Sequence, residues 1–159
     1  MELSTLCYIK SNNRTLMLHR IKKKNDVHEG LWNGLGGKLL PGETPEQCVI
    51  REVEEESGLM ITRPHLCGIL TFPAFKDDED CYVFLFTATE FEGSLIDSPE
   101  GRLEWIDDSK VLALPLWEGD RHFLKWMTEG RFFSAMFAYK NKKLIDHKVT
   151  FYPVLTQTL

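Results

Sequence analysis

The sequence predicts an α/β fold, with one mixed sheet and two helices in a single domain spanning residues 1–159. The chain has 159 residues, a length that suits one hydrophobic core. Short segments rich in β-branched and aromatic residues recur along it, and two other segments show helical spacing. No segment repeats and no linker divides the chain. The predicted strands are 3–10, 14–21, 66–75, 81–91, 101–106, 132–139 and 144–152.

The first two strands are expected to form a hairpin, because Ser11-Asn12-Asn13 is a turn-forming cluster between them. The segment 22–30 that follows has no apolar periodicity and predicts a loop. Glycines then punctuate the segment 34–42, where we predict a strand and a turn. Gly36 and Gly37 would let the backbone approach a ligand or another strand closely.

The clearest helix is predicted over 45–57. Thr44 and Gln47 are spaced as a capping box at its start, and Gly58 is suited to its end. A second helix is predicted over 120–129, where apolar residues recur at helical spacing. These two helices complete the predicted α/β architecture.

Charge and composition exclude several classes of protein. Twenty-four acidic and 19 basic residues give a net charge of -5, so the chain lacks the cationic field that gathers nucleic acid polymers. The acidic segment 76–80 lacks EF-hand spacing and predicts a solvated loop. With no apolar run of membrane-spanning length and no targeting pattern, we expect a cytoplasmic protein without a membrane partner. The four cysteines are far apart in the sequence, which predicts reduced, buried thiols rather than a zinc site or disulfides. They are Cys7, Cys48, Cys67 and Cys81.

Three glutamates cluster on the first predicted helix. Glu52, Glu55 and Glu56 stand at i, i+3 and i+4 and project from one face, whereas Val49 and Val53 lie on the face suited to pack on the sheet. Like charges this close are unfavourable without cations. Two interpretations stay open: a solvated acidic face, or ligands for Mg²⁺ that bridges carboxylates to substrate phosphates.

The residues around this face match the Nudix box, the pattern G-x5-E-x7-R-E-U-x-E-E-x-G-U in which U is aliphatic. The match runs from Gly37 through Glu43 to Arg51-Glu52-Val53-Glu54-Glu55-Glu56-Ser57-Gly58-Leu59 and fills every defined position. The chain therefore resembles the Nudix hydrolases. The resemblance implies an α/β/α sandwich with the box as a loop-helix-loop, and hydrolysis of a nucleoside diphosphate linked to another group.

The same resemblance assigns chemical roles to the box. It implies that Mg²⁺, with Mn²⁺ as a substitute, neutralises polyphosphate charge and lowers the pKa of a bound water. Either Glu52 or Glu56 would be the base for the attacking water, and Arg51 and Glu43 would pair to hold the loop against the helix. The implied metal ligands are Glu52, Glu55, Glu56, Glu100 and Gly37.

Segments outside the box resemble the MutT and MutX branch of the family and a mammalian oxidised-purine nucleoside triphosphatase. The resemblance implies that Asn33 hydrogen-bonds the purine edge, for which an amide is suited as both donor and acceptor. It also implies that Trp117 stacks on the base and that Asp120 reads its edge. The mammalian protein has two adjacent acids after that tryptophan, whereas Gly119 takes the first of these places here, which bears on base selectivity.

Further positions carry weaker matches. Glu100 matches an extra glutamate that the family supplies from a loop beyond the box, as a metal ligand or base. Phe72 matches an aromatic wall of the pocket, although core packing would equally account for Phe72 and Trp117. The remaining candidate substrate contacts are Lys23, Lys38, Gly36 and Gly37, of which the lysines have the alternative of being ordinary surface residues.

Together these features predict a Mg²⁺-dependent nucleoside triphosphate pyrophosphohydrolase that sanitises the nucleotide pool by converting 8-oxo-dGTP to 8-oxo-dGMP and pyrophosphate. Within the same chemistry the alternatives are ADP-ribose, a dinucleoside polyphosphate, dihydroneopterin triphosphate or the 5′ end of RNA. A non-catalytic nucleotide-sensing domain is a further alternative, which the complete set of box glutamates disfavours.

Overall fold

The computed structural model describes residues 1–154, which contain ten strands and three helices. The strands are β1 (Glu2–Ser11), β2 (Arg14–His19), β3 (Trp32–Asn33), β4 (Met60–Thr62), β5 (His65–Lys76), β6 (Glu79–Ala88), β7 (Glu90–Glu92), β8 (Arg102–Asp107), β9 (Phe133–Lys140) and β10 (Lys143–Phe151). The helices are α1 (Pro45–Ser57), α2 (Asp108–Val111) and α3 (Glu118–Met127).

Most of the strands belong to one mixed sheet. Its strands run in the order β10-β9-β5-β6-β1-β2-β3, and β8 also pairs with β2. The pairs β1 with β6 and β5 with β9 are parallel. The other pairs of this sheet are antiparallel, including the predicted first hairpin of β1 and β2. Strands β4 and β7 form a separate antiparallel pair.

Alternation along the central strands builds a core on each face of the sheet. Tyr8 of β1 packs in one buried cluster with Phe123 of α3, whereas its neighbours Cys7 and Ile9 lie in another cluster with Val53 of α1. Successive side chains of a strand point to opposite faces, so α1 and α3 cover opposite sides of the sheet. This arrangement confirms the predicted α/β/α sandwich.

Helix α1 has the predicted bounds and caps. The Gln47 N–H donates to the Thr44 hydroxyl, the Thr44 N–H donates to the Gln47 side chain, and Gly58 ends the helix in the left-handed region with φ of 80°. Helix α3 begins at Glu118 rather than at residue 120. All four cysteines are free and buried, as predicted.

Two predicted segments are wrong in their extent. The acidic segment 76–80 is largely strand, because β5 continues to Lys76 and β6 starts at Glu79, leaving only Asp77 and Asp78 as the turn. The glycine segment 34–42 is not a continuous strand but joins β1 through single bridges at Leu35 and Lys38. The predicted strand 81–91 is divided between β6 and β7, while β4 and α2 were not predicted, because they are too short to show a period.

Candidate active site

A cavity of about 370 Å³ opens beside β1, between the glycine segment and the start of α3. Two sets of side chains share its wall. We call one the acidic group, which consists of Glu52, Glu56 and Glu100. We call the other the aromatic group, which consists of Phe72, Phe75, Trp117 and Tyr139. The volume lies in the range of small-molecule sites, and the two sets suit the two chemical parts of a nucleotide.

The acidic group is built against glycine backbone. The Gly36 N–H donates to Oε1 of Glu56 at 3.1 Å. A Cβ at Gly37 would lie 2.5 Å from the Glu52 carboxyl carbon, and a Cβ at Gly36 would lie 2.0 Å from the Thr5 carbonyl oxygen. Glycine is therefore required at position 36 for the glycine segment to meet β1, and a side chain at position 37 would displace the Glu52 carboxylate from its place in the cavity.

Burial makes Glu56 the most perturbed of these carboxylates. Its side chain is 6% exposed, and its pKa is raised from 4.5 to about 8, mainly by this desolvation. The negative charges of Glu52 and Glu100 contribute to the rise, whereas the Gly36 hydrogen bond and the positive charge of Arg20 oppose it. A cation bound beside a buried carboxylate and its acidic neighbours would remove the repulsion between their negative charges.

Arg51 ties the loop before α1 to the helix. Its guanidinium donates to both carboxylate oxygens of Glu43, at 2.7 and 2.9 Å. These bonds, together with the Leu40 N–H, lower the pKa of Glu43 to about 2. The same guanidinium donates to Oε1 of Glu52 at 2.8 Å and to the Lys38 carbonyl at 3.1 Å. Arg51 and Glu43 lie outside the cavity and orient Glu52, which lines it.

The structure separates Glu55 from the other two glutamates of the predicted face. Its side chain is 60% exposed, lies 3.4 Å from Arg51 and does not line the cavity. The helical period brings Glu52 and Glu56 inward and leaves Glu55 at the outer rim. Within residues 1–154, no three His, Cys, Asp or Glu side chains converge so as to hold a metal together.

Glu100 reaches the cavity from the loop before β8 and is held by cations. Lys23 contacts its carboxylate at 2.9 Å and Arg20 at 3.6 Å. Lys23 itself does not line the cavity, whereas Lys38 does, in an ion pair with Glu2 at 3.1 Å. The carbonyl oxygen of Gly37 accepts the Thr5 N–H at 2.8 Å. Each of these candidate polar contacts therefore has a partner within the protein.

The aromatic group forms a compact wall. Between ring centroids, Trp117 lies 5.0 Å from Tyr139 and 5.3 Å from Phe75, in edge-to-face arrangements. The ring centroid of Phe72 lies 6.5 Å from that of Tyr139. Trp117 is 7% exposed, so it serves the core as well as the cavity. This wall offers apolar faces of the kind against which a planar base packs.

Two polar side chains, those of Asn33 and Asp120, lie beside this wall. Oδ1 of Asn33 is buried and has no hydrogen-bond partner within residues 1–154. Asp120 is buried, and desolvation raises its pKa from 3.8 to about 8, so it is protonated at neutral pH. Both residues line the cavity. A buried polar group without a partner is costly, and a ligand that hydrogen-bonds it removes that cost.

Sequence reasoning missed His28, which is part of the same wall. The Trp117 indole N–H donates to Nδ1 of His28 at 2.9 Å, and the His28 ring stacks on Phe75 at 6.3 Å between centroids. Burial and the nearby Arg20 charge lower the pKa of His28 to about 4, so the ring is neutral and Nδ1 is free to accept. The only feature of the sequence that could have indicated His28 is that it is a single histidine within the charged loop 22–30.

Sequence reasoning also missed Phe75, Tyr139 and Arg20. Tyr139 reaches the cavity from β9, which pairs in parallel with β5 and so lies beside the strand that carries Phe72. No local pattern specifies that pairing. Arg20 was not distinguished from the other cations at the end of β2.

An α/β/α sandwich whose cavity is bordered by glutamates of one helix and by the glycine segment before it defines the Nudix class of protein. The chain belongs to this family, because the family model described as the NUDIX domain matches residues 2–127. This confirms the identification made from the box and the predicted fold class.

Similar proteins agree in sequence and in structure. An oxidized purine nucleoside triphosphate hydrolase of Danio rerio is 34% identical over 128 residues, covering 80% of this chain and 82% of that protein. The uncharacterised Nudix hydrolase YvcI of Bacillus subtilis (strain 168) is 33% identical over 132 residues, covering 80% of this chain and 79% of its own length. The crystal structure of a MutT protein from Bacillus halodurans superposes with a TM-score of 0.83 at 30% identity, covering 94% of this chain and 97% of that one.

No helix in the described part, residues 1–154, is long and apolar enough to cross a membrane.

The contact between Trp117 and His28 predicts a pair of variants that separates hydrogen bonding from packing. His28→Leu leaves the buried indole N–H without an acceptor and is expected to lower the free energy of unfolding by about 1–3 kcal/mol relative to His28→Asn. Asn is close in shape to Leu, and its Oδ1 stands near the position of Nδ1. Urea denaturation of both variants measures the difference, and equal stabilities would show that the hydrogen bond contributes nothing.

Burial of Asp120 predicts a dependence of stability on pH. The folded protein holds a proton that the unfolded chain loses near pH 3.8, so this contribution is fully present below that pH and falls as pH rises to about 8. Asp120→Asn removes the titration. Between about pH 5.5 and about pH 7.5, wild type is expected to lose about 2.5 kcal/mol of stability relative to the variant. Urea denaturation across this pH range measures both stabilities. If the free energies of unfolding of wild type and variant changed with pH in the same way, Asp120 would not be protonated in the folded protein.

Proposed function

We propose that this protein is a Mg²⁺-dependent hydrolase of oxidised purine nucleoside triphosphates, which converts 8-oxo-dGTP and water to 8-oxo-dGMP and pyrophosphate. One observation carries the proposal: a single cavity joins an aromatic wall with unpartnered polar groups to carboxylates presented by a helix. The first suits a purine and the second suits a polyphosphate bound through cations. A relative of 34% identity named as an oxidized purine nucleoside triphosphate hydrolase supports the substrate class.

Recognition of the base is proposed for four residues predicted from sequence. Trp117 provides a ring against which the purine stacks, and Phe72 lies on the same wall. Asn33 offers an amide whose buried oxygen has no partner in residues 1–154. Asp120 is protonated at neutral pH and therefore donates a hydrogen bond, whereas an ionised carboxylate only accepts.

Nudix hydrolases generally use a divalent metal, and the acidic group supplies carboxylates of the kind that it needs, which would have to close around the ion from the positions seen here. Glu52, Glu56 and Glu100 line one cavity, and their mutual repulsion raises the pKa of Glu56 beyond the effect of burial. Carboxylate oxygens are the ligands that Mg²⁺ prefers, with Mn²⁺ as an alternative. When bound, the metal would neutralise phosphate charge and lower the pKa of water. Glu55 would join these ligands only by leaving Arg51, and Gly37 would add its carbonyl oxygen.

The chain's own groups would manage the proton of the attacking water. Hydrolysis adds the water oxygen to phosphorus and breaks the anhydride bond between the α- and β-phosphates. Glu52 and Glu56 are the two candidate bases for the released proton. Arg51 fixes Oε1 of Glu52, and the Gly36 N–H fixes Oε1 of Glu56, so each carboxylate keeps its second oxygen for another contact. Arg51 and Glu43 act by positioning Glu52.

A panel of substrates tests the proposed function. We expect kcat/KM for 8-oxo-dGTP in the presence of Mg²⁺ to exceed that for dGTP by roughly tenfold or more, since the cavity's buried polar groups would discriminate between bases. Chromatography should identify the monophosphate and pyrophosphate as products. The comparison substrates are dGTP, 2-oxo-dATP, ADP-ribose and a diadenosine polyphosphate. A higher kcat/KM for ADP-ribose or the dinucleotide would overturn the substrate class, and binding of nucleotides without any turnover would favour a sensing domain.

Glutamate variants of α1 test the proposed role of the acidic group. Glu56→Gln and Glu52→Gln are each expected to lower kcat by roughly a hundredfold or more, because each removes a carboxylate proposed to bind metal or accept the proton. Glu54→Gln is the matched control, because Glu54 is exposed on the same helix and does not line the cavity. Near wild-type turnover in both cavity variants, with folding checked by circular dichroism, would remove the acidic group from catalysis.

A further inference from the structure

Helix α3 and strand β9 meet at a contact beside the aromatic wall. The N–H of Gly119, in the first turn of α3, donates to the hydroxyl oxygen of Tyr139 at 2.7 Å. Tyr139 lies near the end of β9 and lines the cavity together with Asn33 and Asp120. The hydrogen bond therefore fixes a phenol hydroxyl beside the polar groups to which we assign base recognition.

Only glycine permits this contact. A Cβ at position 119 would lie 2.7 Å from the Tyr139 hydroxyl oxygen and 2.8 Å from Cδ1 of Phe137. The absence of a side chain at position 119 thus allows the phenol to reach the helix. The Tyr139 hydroxyl is therefore the polar group that meets the first turn of α3 at this position.

The hydroxyl hydrogen of Tyr139 is available to donate a hydrogen bond to a ligand. Its oxygen accepts from Gly119, and within residues 1–154 no acceptor takes its hydrogen. Burial raises the pKa of Tyr139 well above its ordinary value, so the hydroxyl keeps that hydrogen at any physiological pH. The ring is held by Trp117, 5.0 Å away and inclined at 73°, and by Phe75 at 5.8 Å. The donor is consequently fixed in position by two aromatic contacts and one hydrogen bond.

We propose that Tyr139 is a specificity-determining residue whose hydroxyl donates a hydrogen bond to a carbonyl oxygen on the edge of the bound purine. The proposal rests on the function argued above and adds a residue to it. A purine carbonyl accepts this hydrogen, whereas an exocyclic amino group at the same place would present a second donor and leave both unpaired. The residue therefore favours oxo-purines over amino-purines.

The Tyr139→Phe variant tests this assignment because it removes one oxygen atom and keeps the ring. We expect kcat/KM for 8-oxo-dGTP to fall by about tenfold, mainly through KM, because one hydrogen bond to the base is lost. The value for dATP, which has no carbonyl, should not fall and is expected to rise, because the variant removes the unpaired donor that opposes its amino group. Tyr152→Phe is the matched control, since Tyr152 is an exposed tyrosine that does not line the cavity.

The outcomes separate this inference from the proposed function. A tenfold loss confined to carbonyl-bearing purines, with dGTP showing which carbonyl is read, supports the role of Tyr139. Equal losses for 8-oxo-dGTP and dATP, or no loss for either, would overturn the role while leaving the hydrolase intact. If wild type itself hydrolyses no purine triphosphate, the proposed function fails, and the inference that rests on it fails too. Thermal unfolding of the variant verifies that it is folded.

Discussion

The backbone of residues 34–38 lies between β1 and α1, and the acidic part of the site depends on this contact. Hydrogen bonds from the N–H groups of Thr5 and Cys7 to the carbonyls of Gly37 and Leu35 hold the segment to β1. The Gly36 N–H then binds Glu56 from the other side. A side chain at Gly36 would enter the Thr5 backbone, so this close approach is possible only with glycine, and a side chain at Gly37 would push the Glu52 carboxylate aside. The buried Glu56 carboxylate is thereby held against backbone at one edge of the cavity, with the half-buried Glu52 beside it.

Carboxylates this close together repel each other, and the contacts around them reduce that repulsion. Arg51 engages Glu52 while it binds Glu43 through two hydrogen bonds, so one cation serves both the loop and the helix. Within residues 1–154 Glu56 has no comparable ion pair, and its raised pKa leaves it largely protonated at neutral pH. A divalent cation bound at this site would displace that proton and leave Glu56 ionised, free to act as a ligand or base.

The loop between β2 and β3 connects the two groups of the cavity. Arg20 contacts Asp26 at 2.9 Å and Glu100 at 3.6 Å, while the backbone N–H of His28 donates to Asp26 at 3.2 Å. His28 in turn accepts from Trp117. A continuous set of polar contacts therefore runs from the acidic group to the aromatic wall. The positions of the base and of the phosphates would be set by one framework, which is a condition for holding a substrate in a reactive geometry.

The sequence by itself determined the class of fold, helix α1 with both of its caps, and the residues of the Nudix box, because these depend on local spacing and on side chains close together in the chain. Local spacing also placed the three glutamates 52, 55 and 56 on one face of the helix. Which of them line the cavity was decided only by the packing of α1 against β1, which turns Glu52 and Glu56 inward and leaves Glu55 outside. The aromatic wall needed the tertiary structure even more. His28, Phe75, Trp117 and Tyr139 come from four separate elements, and the parallel pairing of β5 with β9 that brings Tyr139 to the site joins strands more than fifty residues apart. Contacts between distant segments are set by packing of the whole sheet, and no pattern within one segment encodes them.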